Sequence, residues 1–209
     1  MSQTKAQLIN AVDGSIVDAD IVGLTSSKLS GALPAISGAS LTGISAGKIL
    51  QVVQAAKTDT FSTSSQTYVN VTGLGVFITP ASASNKILII LDIKVGAGHE
   101  DAAFAGRLLR DMGGSSIFQI YTGNASSSRT DASFGTSRQS GNAGYDIIQD
   151  RQAVFLDSPN TTSQAYYRVE IRGNNGRDTL INRTSDDSDD NDTPRVASSI
   201  TVMEVAAWC

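Results

Sequence analysis

Three groups of residues have side chains that could do chemistry. His99, the single histidine, stands beside Glu100 and Asp101 in a glycine-rich stretch, where an imidazole next to carboxylates could act as a general base or a metal ligand. A nucleophile on a Gly-x-Ser-x-Gly elbow, which an acyl-transfer triad of the hydrolase type needs, is not in the sequence. We therefore interpret His99 as a solvated loop residue and expect no enzymatic activity.

Carboxylates fill five of seven positions between residues 186 and 192. Such a run supplies hard oxygen ligands for calcium, but it has neither the central glycine nor the distal glutamate of an EF-hand loop. The favoured interpretation is an acidic loop without a cofactor, and the alternative is a structural calcium site on Asp186, Asp187, Asp189, Asp190 and Asp192.

Asp146 and Asp150 are a pair of acids close in sequence. Two carboxylates can flank a glycosidic bond, but sequence does not give the separation on which that mechanism depends. A polysaccharide-degrading activity is therefore only a minor alternative.

Composition restricts the remaining functions. The net charge is -4, whereas nucleic-acid binding needs a basic surface that displaces counterions, so we expect no nucleic-acid partner. The longest apolar run, residues 87 to 91, is far shorter than the roughly 20 residues of a membrane-spanning helix. The first ten residues lack the apolar core of a secretory signal, which favours synthesis in a cytoplasm and no membrane insertion.

The pattern of the chain changes near residue 47. Residues 1–46 are rich in Gly, Ser and Ala, with too little apolar side chain to offset their own ordering entropy. A disordered linker and a stem built from several identical chains both fit this composition, and the regular return of isolated apolar residues favours the stem. The residues expected to make its inter-chain contacts are Leu24, Leu29, Leu33, Ile36, Leu41 and Ile44.

Residues 47–209 show the two-residue periodicity of β-strands. Ile87, Ile89, Leu91, Ile93 and Val95 share one parity, while Leu88 and Ile90 indicate that part of the second face is also covered. The pattern predicts an all-β, antiparallel β-sandwich of the jelly-roll kind. Its strands are expected over 48–55, 66–72, 74–79, 87–95, 106–112, 117–122, 145–156, 165–172 and 199–207.

The longest apparent loop spans residues 122–144. Long loops on a rigid sandwich are where recognition surfaces tend to lie, and its Arg, Asn, Ser and aromatic residues suit polar and stacking contacts with a glycan. A loop without a binding role is the alternative. The candidate receptor-contact residues are Arg129, Asp131, Phe134, Arg138 and Tyr145.

Several phrases resemble those of tail-fibre and spike proteins of tailed bacteriophages, particularly of aquatic phages. The phrase SSKLSGALPAISGASLTG at residues 26–43 resembles a fibre stem, and GKILQVVQ at residues 47–54 resembles the start of the distal domain. Further matching phrases are ITP at 78–80, NKIL at 85–88, LDSP at 156–159 and SSITVMEV at 198–205.

This resemblance implies a homotrimeric virion protein without catalytic residues, assembled in a host cytoplasm. Its N-terminal arm would attach to other virion proteins, and its β-rich head would contact the host surface. The arm is very short, which favours a stubby spike, a collar or tail-tip fibre, or a head protein. The alternative function is a capsid or tail decoration protein that stabilises the particle without binding a receptor.

Overall fold

The computed structural model describes residues 48–114, 116–124, 126–136 and 147–207. The predicted arm, residues 1–46, lies outside the described residues. Every regular element in the described part is a β-strand, which confirms the all-β prediction. The strands are β1 (Ile49–Lys57), β2 (Phe61–Thr63), β3 (Val69–Ile78), β4 (Lys86–Ala97), β5 (Phe104–Asp111), β6 (Ile117–Ile120), β7 (Phe134–Thr136), β8 (Ile148–Asp157), β9 (Ala165–Arg172), β10 (Thr179–Ile181) and β11 (Ser198–Val205).

The strands form two antiparallel sheets. In sheet I the long strands follow the order β1-β11-β4-β8, and the short strands β10 and β2 extend it beside β4. In sheet II the order is β3-β9-β5-β6, with β7 also paired to β5. Sheet I thus has six strands and sheet II has five. Two antiparallel sheets whose neighbouring strands are distant in sequence are typical of a jelly roll, so the predicted sandwich is confirmed.

The core lies between the two sheets. On β4 the five side chains of one parity, Ile87 to Val95, are fully buried, as are Tyr167, Val169 and Ile171 on β9. Alternation of apolar and polar residues thus directs one face of each strand inward, as the sequence indicates. No helix in the described residues is long and apolar enough to cross a membrane.

Most strand boundaries differ from prediction by one to three residues, and two of the differences lie near Gly73 and Ile148. The break expected at Gly73 does not end a strand, because β3 runs through it with a register shift between Asn70 and Gly75. Gly73 has a φ of 81°, a conformation that glycine adopts without steric cost, so the irregularity is accommodated inside the strand. The strand expected from residue 145 begins at Ile148.

An ion pair joins the two sheets near one end of the core. Asp157 on β8 accepts hydrogen bonds from Arg110 Nη1 on β5, at 2.6 and 2.8 Å, and from the Tyr167 hydroxyl on β9, at 2.7 Å. Asp157 is 5% exposed. Burial and the hydrogen bond to Asp157 both raise the pKa of Tyr167, so the phenol stays a donor.

A second buried carboxylate, that of Glu204, lies in sheet I near the start of β1. Glu204 accepts hydrogen bonds from Gln51 Nε2 and Asn85 Nδ2, both at 2.6 Å, and from the backbone N–H of Ala81 at 2.7 Å. Burial works against the charge of Glu204, but the hydrogen bonds outweigh it, so the pKa of this carboxyl is lowered. The interaction ties β11, β1 and the β3–β4 loop together.

We expect Tyr167→Phe to destabilise the fold by about 1.5–3 kcal/mol, because Asp157 loses a donor inside the core. Tyr166→Phe is the matched control, since its ring lies on the outer face stacked on Phe77 at 4.3 Å, and we expect a change within about 0.5 kcal/mol. Denaturant unfolding measures both. Equal changes in the unfolding free energy for the two substitutions would contradict a stabilising role of the Tyr167–Asp157 hydrogen bond.

Glu204 makes stability depend on pH. Because its folded pKa lies below the ordinary value of 4.5, its contribution is present above that value and is lost as the pH falls below it. We expect Glu204→Gln to lower the unfolding free energy by about 1.5–3 kcal/mol at pH 7 and much less at pH 3. Thermal unfolding across this range checks it, with the exposed Asp189→Asn as control; a pH-independent difference would contradict the assignment.

Candidate functional site

The outer face of sheet II carries a row of charged side chains. Glu170 accepts hydrogen bonds from Arg107 Nε and Nη2, at 2.8 and 2.6 Å, and also pairs with Arg168. Arg168 in turn lies 3.4 Å from Asp111. The pairing of β5 with β9 places Arg107 directly across from Glu170, so the sheet register itself builds this ladder.

The predicted receptor-contact loop is fixed onto this face through Asp131. The Tyr68 hydroxyl donates to the carbonyl of Asp131 at 2.9 Å, and Gln119 donates to its carboxylate at 3.1 Å. The guanidinium of Arg107 lies 4.2 Å from the centre of the Tyr68 ring, a cation–π geometry. Burial raises the pKa of Tyr68, although the charges of Arg107 and Arg172 act in the opposite direction.

The other predicted contact residues have different settings. Arg129 is exposed in a turn closed by its own N–H on the carbonyl of Ser126 at 3.0 Å. Phe134 belongs to strand β7 rather than to a loop, and its ring packs over Gly106, where a Cβ would collide with it. Arg138 and Tyr145 lie outside the described residues. Three of the five predicted residues therefore have a described position, and Asp131 is held most firmly.

A pocket opens beside this loop. It has a volume of about 400 Å³ and lies between the start of β5, strand β7, the loop before it and the turn after β9. Its lining includes Phe104, Thr130, Thr136, Arg172 and Asn174. The alternation of β9 predicts only that Arg172 faces solvent. No local sequence signal shows that the β6–β7 loop lies beside Arg172 and forms a pocket with it.

The outer face of sheet I has the opposite character. Two adjacent rows of residues cross β1, β11, β4 and β8 in register: the first is Val52, Met203, Leu88 and Leu156, and the second is Gln54, Thr201, Ile90 and Val154. Neither row contains a charge. The apolar patch consists of Val52, Leu88, Ile90, Val154, Leu156 and Met203. In one copy of the chain four of these side chains are exposed, Val52 and Val154 most at 56% and 57%, and Leu88 and Met203 are half-buried.

Charged residues bound this patch at both ends. Lys94 bridges Asp92 and Asp150 at 2.9 and 3.1 Å on one side, and Lys86, which donates to the Ser158 hydroxyl at 2.7 Å, lies on the other. The chain enters sheet I on the Lys86 side, where Ile49 pairs with Val205. The predicted inter-chain residues of the stem, Leu24 to Ile44, lie outside the described residues.

The residues considered for catalysis are engaged in local interactions. The His99 imidazole lies 2.5 Å from the Asp101 carboxylate, which also pairs with Arg177 at 3.1 Å. Asp150 pairs with Lys94, and Asp146 lies outside the described residues. These contacts give each described group a structural role, and none of them assembles a nucleophile with a base.

The acidic run is organised by its own backbone and one arginine. Arg195 donates to both oxygens of Asp187, at 2.9 Å each, and this hydrogen bonding lowers the pKa of Asp187. Asp186 and Asp190 accept from backbone N–H groups two residues on. Among the described residues, no cluster of three or more acidic, His or Cys side chains has a metal-binding arrangement. The acidic loop without a cofactor stays the prediction, with structural calcium as its alternative.

Comparison with known proteins identifies no family. No family model matches the chain, and no curated protein does. Among solved structures, Eiger TNF from S. frugiperda is 9% identical, over 76% of this chain and 95% of its own, with a TM-score of 0.33.

Two virus structures are similar to the same extent. Infectious bursal disease virus of the Gx strain is 12% identical over 75% of this chain and 37% of the viral chain, with a TM-score of 0.36. The Gt strain is 12% identical over 75% and 38%, with a TM-score of 0.34. Likeness at this level carries no part of the functional argument.

Proposed function

We propose that this chain is a structural protein of a virus particle, a homotrimeric fibre or spike with a jelly-roll head. Its N-terminal arm joins the head to the particle, and the head contacts the host surface. The role is mechanical and adhesive rather than enzymatic. The observation that carries the proposal is the contrast between the two outer faces of the sandwich.

The outer faces of the two sheets differ along their central strands. On β5 and β9 of sheet II, the charged residues Arg107, Glu170, Arg168 and Asp111 pair with one another, and the exposed Phe77 lies on the neighbouring strand β3. The outer face of sheet I presents the six-residue apolar patch. Monomeric proteins rarely leave a contiguous apolar surface of this kind in water, and such surfaces mark interfaces.

A second and third copy of the same chain are the occupants we propose for the patch. Burying each half-exposed aliphatic side chain is worth on the order of 1 kcal/mol. The four exposed side chains and the two half-buried ones of each copy together give a gain near the lower end of the roughly 4–15 kcal/mol that association costs. We therefore expect the apolar residues of the arm to stabilise the trimer, in addition to attaching it to the particle.

The position of the first strand supports a head-and-stem arrangement. Residue 48 leads into β1 at the end of sheet I nearest the row containing Val52 and Met203. Cyclic symmetry places equivalent points of all copies on the same side of the assembly. The points at which residue 48 enters β1 would then lie on one side of the assembly in all three copies.

Trimerisation also gives a reason for a weak host contact on each head. Three identical sites on one rigid head bind a cell surface far more tightly than one, because the second and third contacts form at high effective concentration. The outer face of sheet II and its loop remain available for this contact when sheet I is covered.

We expect the full chain to have the mass of a trimer by light scattering, and Val154→Glu to reduce it to a monomer. A charge placed in the patch would have to be desolvated in the interface. Phe77→Glu is the matched control, because Phe77 is 56% exposed, almost the same as Val154 at 57%, but lies on sheet II. We expect this variant to stay trimeric.

A monomeric or dimeric wild type would contradict the proposal, as would a trimer that Val154→Glu leaves intact. Circular dichroism of both variants verifies that the sandwich is retained. Adsorption of the purified trimer to host cells separates the two roles in the particle: binding supports a receptor-contacting head, and its absence supports decoration.

A further inference from the structure

One arginine on the outer face of sheet II differs from its neighbours. Arg168 and Arg172 lie on the same side of β9, and Arg107 lies across from them on β5. Arg107 and Arg168 are both paired with Glu170. Arg172 has no carboxylate or hydrogen-bond partner among the residues that the structure describes, and it lines the 400 Å³ pocket.

The pocket around Arg172 is suited to a negatively charged polar ligand. Arg172 is the one charged residue in the described lining of the pocket, which also includes Thr130, with its hydroxyl, and Asn174, with its amide. The volume falls within the range of small-ligand sites in proteins. An arginine fork matches the two oxygens of a carboxylate in geometry and charge.

Arg172 is also held on a rigid backbone. It pairs with Ala105 of β5, and the next residue, Gly173, donates its N–H to the Ser65 carbonyl at 2.8 Å. A Cβ at position 173 would approach the Arg177 carbonyl to 2.6 Å, so this close packing requires glycine. The backbone that carries Arg172 is thus fixed on both sides of the residue, so the start of its side chain has a defined position beside the pocket.

We propose that this pocket binds a carboxylate-bearing sugar, with Arg172 pairing with the carboxylate and the Thr130 and Asn174 side chains contacting sugar hydroxyls. The proposal deepens the host contact of the proposed function and rests on it. The ligand class is therefore the acidic polysaccharide of a cell surface, recognised on the side of the head that the trimer leaves open.

The test is a calorimetric titration of the full-length protein with trigalacturonic acid, with its methyl ester as the uncharged probe. We expect the acid to bind and the ester to bind at least about tenfold more weakly. Arg172→Gln should weaken binding of the acid by a similar factor. Arg195→Gln, which removes the same charge from a site outside the pocket, should leave the affinity unchanged.

Inorganic phosphate is the probe for a simple anion site. If phosphate binds as tightly as the acid, or if Arg172→Gln and Arg195→Gln have equal effects, the sugar proposal is overturned. Absence of binding to a trimeric wild-type protein also overturns it but leaves the trimeric head standing. A monomeric wild type removes the proposed function instead, so light scattering on the same samples distinguishes the two failures.

Discussion

Strand β4 has apolar side chains on both faces, whereas a two-sheet sandwich of one chain can bury only one face of each sheet. Its inward residues, Ile87 to Val95, are fully buried against sheet II. Its outward residues Leu88 and Ile90 stand next to Leu156, Val154 and Met203, in register across three strands. The strand that organises the core therefore also creates a surface that one chain leaves uncovered, and the assembly we propose follows from this constraint.

Polar interactions in the sandwich fix the sheets relative to one another, and they leave the apolar patch free of charge. Asp157 and Glu204 both point inward, where Arg110 and Tyr167 or Gln51 and Asn85 satisfy them. Removing one partner from such a buried group costs more than a surface contact gains. The two clusters fix the positions of β8 and β11 in sheet I. These strands carry Val154, Leu156 and Met203, half of the apolar patch.

The sequence predicts the sandwich because β9 alternates between apolar and polar residues and β4 has an apolar residue at every second position, and such periodicity is a local signal. It also shows the uncovered face, since Leu88 and Ile90 break the expected polar alternation. The pocket beside Arg172 and the position of Phe134 depend on which strands become neighbours, and no local sequence pattern contains that information. The short strands β2, β7 and β10, three residues each, are missed for the same reason: pairing rather than composition makes them strands.

Hydroxyl-radical footprinting of the full-length protein tests the central claim most directly, because it reports the solvent access of each face in solution. The account predicts that Met203 and Leu156 are labelled much more slowly in the wild type than in the Val154→Glu variant. Phe77 and Tyr166, on sheet II, should be labelled at the same rate in both proteins. Equal labelling of Met203 and Leu156 in wild type and variant would show that water reaches the face of sheet I, and would contradict the account.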